Sequence, residues 1–187
     1  MKKLLFLTIA VFAFAAGAFA QKADYSGTWK LDAGKSKLGE RTRIESMTLT
    51  VTQTDRELKV ETATTRLPPP ADAPAGPPPG GGGMGRGGMR GFGGGDGTVI
   101  YSLDGKETKA EIDGPNGKVP GSYKGSVGSD GSLNLSSSRT FRGQMGEITV
   151  TTKETWKLSA DGATLTIDRE STSPRGTQTS TLVFTKG

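Results

Sequence analysis

The chain contains no cysteine and no histidine among its 187 residues. Without disulfides the fold must hold through its own core. Together the two absences remove whole chemistries. No Cys–His pair, no Ser–His–Asp triad and no ordinary zinc site can be assembled. Charge of one sign is also lacking: 24 Lys and Arg stand against 19 Asp and Glu, a net +5. Two of those cations, Lys2 and Lys3, belong to an N-terminal leader described next. Their removal leaves an excess too weak to argue for a nucleic-acid partner.

Long apolar runs are missing with one exception. Leu4 to Ala16 is a short apolar stretch behind Lys2 and Lys3, and Ala18-Phe19-Ala20 before Gln21 is a small-x-small cleavage signal. This is the pattern of a secretory signal peptide over residues 1–20. A membrane span needs about 20 apolar residues, more than this run supplies. The expectation is export to the periplasm or beyond, with no transmembrane segment. No cysteine follows to carry a lipid. Residues 21–187 are then one domain.

A period of 3.6 is absent as well. What is present is alternation with a period of two. Met47, Leu49 and Val51 alternate with threonines, and Leu58 and Val60 with Lys59 and Glu61. Val99, Tyr101 and Leu103 share a parity, as do Leu133 and Leu135. Ile148, Val150, Trp156 and Leu158, then Leu165 and Ile167, then Leu182 and Phe184 continue the pattern. Threonine and serine fill many remaining positions, as suits a half-solvated pleated sheet. The reading is ten strands at about 25–32, 43–53, 58–66, 97–103, 106–112, 119–127, 132–141, 147–158, 163–172 and 177–186.

Turns between these strands are testable, because a hairpin works only if apolar faces meet across its ladder. Thr54 to Glu57 sets Val51 opposite Val60, and the turn at Gly143 to Gly146 sets Phe141 opposite Ile148. Ser173-Pro174-Arg175-Gly176, with Pro at the favoured second position, sets Ile167 opposite Leu182 and Leu165 opposite Phe184. Ser159-Ala160-Asp161-Gly162 sets Trp156 opposite Leu165. Asp104-Gly105 has the chemistry of a tight type I′ hairpin and sets Tyr101 opposite Thr108. Nearly all links are short, so the fold class is all-β: an antiparallel meander of about ten strands. So long a meander tends to curl, and closure into a barrel removes exposed edges.

Residues 67–97 break the pattern. "LPPPADAPAGPPPGGGGMGRGGMRGFGGGDG" has few side chains to bury, so it is expected to be a disordered insertion. Its Arg86, Arg90 and Phe92 are too few for an RNA-binding segment of the Arg-Gly-Gly type, and Asp72 and Asp96 cancel the two charges. No nucleic-acid partner is expected.

"DYSGTWKL", residues 24–31, opens the folded part and carries one of only two tryptophans. It resembles the first strand of the calycins: lipocalins, fatty-acid-binding proteins and avidins. Lipocalins begin with a Gly-x-Trp step, and fatty-acid-binding proteins often with Gly-Thr-Trp-Lys-Leu, which residues 27–31 match. The longer "SGTWKLDAGKSKLG" is similar to the start of secreted bacterial proteins called lipocalin-like. The resemblance implies a meander barrel with ligand inside. It gives Gly27 and Trp29 structural roles, with the indole packed across the closed end. The chain departs from fatty-acid-binding proteins after the first strand, where "DAGKSKLGERTR" is too short for a two-helix lid. Ligand type does not carry over.

The search for chemistry is brief. Asp104, Asp130 and Asp161 stand beside glycines, where carboxylates shape turns. Glu107 and Glu111 lie on an outward parity. Lys35-Ser36-Lys37 reads as a solvated loop. No glycine-rich element leads from strand to helix, which excludes a phosphate loop. With Cys and His nucleophiles missing, no enzyme, cofactor or metal is expected.

One set of residues stands out. Arg139 shares parity with Leu133, Leu135 and Phe141; Glu154 with Val150 and Trp156; Arg169 with Leu165 and Ile167; Arg66 with Leu58 and Val60. Tyr101 lies on an inward parity too. Charges on an inward face need partners. Either they sit at a wet rim or pair internally, as Glu154 with an arginine, or they form the polar end of a ligand cavity. The spacing sets Arg139 opposite Val150 and Arg169 opposite Thr152, nearly level with each other. Two functions follow: an exported binding protein for a small apolar or amphipathic ligand, acidic if the arginines select it, or a structural or interaction module of the envelope with a filled barrel. The sequence specifies no oligomeric state.

Overall fold

Alternation with a period of two becomes ten antiparallel strands and no helix among the described residues, which in this computed structural model are 23–39, 44–67, 97–114, 117–143 and 146–187. Residues 1–20, expected to be a leader, and nearly all of the Pro/Gly insertion lie outside them. In chain order the strands are β1 Gly27–Leu31, β2 Ile44–Gln53, β3 Glu57–Arg66, β4 Gly97–Ser102, β5 Asp104–Gly114, β6 Gly117–Val127, β7 Leu133–Gly143, β8 Gly146–Leu158, β9 Thr164–Ser173 and β10 Gly176–Lys186. Their order in the sheet is β4-β3-β2-β1-β10-β9-β8-β7-β6-β5. It is a continuous meander that curls into a nearly closed barrel.

The inner face is the apolar parity read from the sequence. Trp29, Leu58, Leu133, Leu165, Ile167 and Phe184 are wholly or almost wholly buried. Three expected registers hold: Val51 faces Val60, Phe141 faces Ile148, and Ile167 faces Leu182. Glu107 and Glu111 point outward and are exposed. The three aspartates shape turns as expected. Asp104 accepts from the Lys106 amide at 2.9 Å, Asp130 from the Ser132 amide at 3.1 Å, and Asp161 from the Ala163 amide at 3.0 Å. At Asp104 these bonds, led by the one from the Ser102 hydroxyl, hold the carboxyl at a pKa of about 2.

Two registers differ from expectation. Trp156 faces Ile167 rather than Leu165, and Leu158 faces Leu165. The Ser159 amide donates to the Thr164 carbonyl at 2.9 Å, so the loop is 160–163 and sits one residue later in the chain. The ladder moves by two residues, which keeps every side chain on its face. Arg169 therefore stands opposite Glu154, not Thr152.

The second difference is larger. Asp104-Gly105 is no hairpin turn: β4 and β5 are the two ends of the sheet order. Tyr101 pairs with Leu58, and Thr108 with Tyr123. The Leu103 amide is drawn to the Arg56 carbonyl at 2.7 Å, and Gly105 takes φ 78°, where glycine carries no steric penalty. The chain turns a corner there instead of folding back on itself. A seam is left, pinned near its lower end where β4 packs against β5 and β6.

A strap seals the floor. Residues 25 and 26, expected in the first strand, precede it. The Tyr25 hydroxyl is shared between the carbonyls of Gly131 and Trp156, each at 3.0 Å, and its ring tilts against Trp156. Gln53 ties the strap from the other side: its Oε1 accepts from the Tyr25 amide at 3.0 Å, and its Nε2 donates to the Ala23 carbonyl at 3.1 Å. Lys35-Ser36-Lys37 is not free in solvent either. Ser36 Oγ accepts from the Val183 amide at 2.9 Å, and Lys37 bridges to Thr181.

Candidate functional site

Trp29 faces inward on β1, as its parity implies. It is fully buried. Its Nε1 donates to the Tyr25 carbonyl at 2.9 Å, and the ammonium of Lys186, its partner across the ladder, lies 5.4 Å from the ring centroid. Gly27 has φ 137°, a value L side chains rarely adopt, and an added Cβ would meet the Lys186 side chain at 3.1 Å.

A polar tier lies above that floor. On β8 and β9, Glu154 and Arg169 face each other, and Arg169 Nε donates to Glu154 Oε1 at 2.6 Å. The other carboxylate oxygen accepts from Trp156 Nε1 at 2.7 Å. The internal pairing of Glu154 with an arginine is thus realised. Thr152 and Ser171 continue the inner face one step up, their hydroxyls 3.2 Å apart.

Across the barrel, β4, β6 and β7 supply the rest of the tier. Tyr101 and Tyr123 meet edge to face, centroids 5.7 Å apart at 88°. The Arg139 guanidinium lies over the Tyr123 ring, 5.8 Å from its centroid. Burial, and then the charge of Glu154, push the Tyr101 phenol above its ordinary range, while Arg139 and Arg169 pull it back. Those influences place Tyr101 in the field of all three charged groups. Four of the five expected site residues, Arg139, Arg169, Glu154 and Tyr101, therefore lie in one polar region of the inner face. Arg66 does not join them. It lies inward at the far end of β3, opposite Ile44, beside a bulge between Ile44 and Ser46. Nor are Arg139 and Arg169 level, because Arg139 faces Val150 while Arg169 faces Glu154.

Sequence reasoning missed Tyr123 and Tyr25. Tyr123 shares parity with Val119, and Gly121 beneath it was the available signal. A Cβ on Gly121 would lie 2.7 Å from the Tyr123 hydroxyl, so the ring occupies the space the glycine leaves. Tyr25 carries no signal of this kind, since its partners are backbone carbonyls remote in sequence.

Among the described residues no group of three or more potential ligands is placed to hold a metal. No described helix is long and apolar enough to cross a membrane. A cavity of about 510 Å³ opens on the outer wall, bounded by Lys37, Lys153, Asp168 and Glu170. Arg169 of the tier borders it as well.

Fold and tier together define the class: a nearly closed, ten-stranded antiparallel barrel, compatible with the lipocalin-like architecture that the first strand resembles. No family model matches the chain, and no curated protein sequence matches it significantly.

Proposed function

We propose that this chain is an exported, non-enzymatic binding protein that receives a small amphipathic molecule in its barrel. One observation carries the reading. The interior divides into an apolar floor and a tier that holds charged groups and phenols. A barrel that serves only as a filled core is more stable with apolar side chains of similar volume in that tier. An amphipathic guest gives both layers a use: its hydrocarbon would add to the apolar layer, and its polar head would meet the tier. Barrel interiors are frequent ligand sites for this reason. The chemistry absent from the sequence supports binding over catalysis.

The outer cavity favours a second reading. A charged groove across β8, β9 and β10 suits an interaction module whose barrel is filled. Solvent extraction of the protein purified from its native source, followed by mass spectrometry, separates the two. A small molecule recovered in near-stoichiometric amount supports the binding reading. An empty extract, together with failure to bind any amphiphile added back, supports the interaction module.

A further inference from the structure

β5 carries an open edge. It pairs with β6 on one side and stands at the end of the sheet order, so among the described residues no strand takes its other side. The seam towards β4 is closed at its foot, where a Cβ on Gly125 would meet the Ser102 carbonyl at 2.9 Å and the Leu103 side chain at 3.1 Å. Above that foot every residue from Lys106 to Glu111 is exposed, on both faces of the strand. The amides and carbonyls of such an edge are a template for another strand. Natural sheets blunt their edges with bulges, prolines or charges aimed at the inner face. β5 has a bulge between Asp104 and Glu107, and from Glu107 onward its ladder with β6 is regular. No proline stands in that stretch, and its inner face presents Thr108, Ala110 and Ile112.

The outward side chains say what fits. Glu107, Lys109 and Glu111 alternate in sign along the outer face, and none of the three makes an ion pair with a described residue. Such a row is complementary to itself when reversed. With a second β5 laid antiparallel about a twofold at Thr108 or at Ala110, Lys109 of each copy stands opposite a glutamate of the other, Glu107 or Glu111. From this edge we infer that two copies of the chain pair through β5, joining two barrels by one continuous sheet. A twofold interface requires a surface that fits itself, and opposite charges directly across a ladder stabilise the pairing. One short edge buries less than the roughly 1,600 Å² of a standard complex, so the dimer is a weak one. The pairing lies outside the barrel and does not depend on a guest within it.

Sedimentation velocity of the purified protein over about 1–500 µM tests it. Wild type is expected to pass from monomer to dimer within that range, and the amides of residues 107–111 should gain protection from hydrogen exchange as it does. Lys109→Glu makes the outward row wholly acidic, and Glu107→Lys with Glu111→Lys makes it wholly basic. Each variant should self-associate about tenfold more weakly or worse, because attractive cross-strand pairs become repulsive. Mixed in equal amounts, the two should associate at least as tightly as wild type. Circular dichroism establishes that each variant folds, and the wild-type concentration series stands without them. A wild type that stays monomeric throughout overturns the inference. So does a dimer that withstands both folded variants, or a mixture of the two that fails to associate. Full protection of residues 107–111 already in the monomer would show the edge covered by the chain itself and would overturn it equally.

Discussion

Arg169 and Glu154 are joined inside the barrel by a contact of 2.6 Å, with side chains only 14% and 11% exposed. At that burial the pair is screened weakly, and loss of one partner strands the other's charge. Arg169→Met is expected to destabilise the fold by about 3 kcal/mol. The double variant Glu154→Leu with Arg169→Met should recover part of that loss: apolar replacement of both partners removes the desolvation cost, but leaves the buried Trp156 Nε1 without its acceptor. Urea melts of the two singles and the double form the cycle that measures it. A double variant no more stable than Arg169→Met would show that the pair holds the barrel together in some further way.

Trp29→Ala should cost about 3–5 kcal/mol, the range for a large aromatic lost from a core. The cavity would open beneath the strap that Tyr25 and Gln53 hold, so the melt should also lose cooperativity at the floor. A variant that melts as wild type does would remove Trp29 from the core.

Gly121→Ala tests the packing beneath Tyr123. A Cβ there would approach the Tyr123 hydroxyl to 2.7 Å and ring carbons to 3.0 and 3.1 Å. The ring must move, at a cost of about 1–3 kcal/mol. In the background of Tyr123→Phe the closest clash disappears, so the same alanine should cost less. Thermal melts of the four proteins decide, and equal penalties in both backgrounds would contradict the geometry.

Alkaline pH should weaken the fold through Tyr25. Burial pushes its pKa up to about 12 from an ordinary 10. A raised folded pKa means that the folded state disfavours the phenolate. The stabilising contribution is whole below pH 10 and fades as pH rises through 12. Tyr25→Phe should lower stability at neutral pH, through the lost hydrogen bonds to Gly131 and Trp156, and flatten the decline between pH 10 and 12. Melts across that window, with phenolate absorbance as a second signal, measure the effect. An undiminished decline in Tyr25→Phe would assign it elsewhere, Tyr101 first.

By itself the sequence determined which residues face inward and the number and order of the strands along the chain. Side chains on a strand alternate between faces, so a slip by one residue would turn Leu133, Leu135 and Arg139 outward together. That penalty makes parity legible in any single strand, and turn chemistry such as Ser173-Pro174-Arg175-Gly176 anchors its register. The inward placement of Arg139, Arg169, Glu154 and Tyr101 was readable for the same reason. Alternation is blind to a slip by two residues, since both registers bury the same face. Only the folded loop at 160–163 put Arg169 opposite Glu154 and turned two inward charges into a pair. Nor does any local pattern say whether neighbouring strands in the chain are neighbours in the sheet. Asp104-Gly105 has hairpin chemistry, yet the curl of the whole meander brings β4 and β5 together as unpaired edges. The seam, the strap of Tyr25 and the seat of Arg139 over the Tyr123 ring all follow from that closure. They depend on distances between residues far apart in the chain, which only tertiary packing sets.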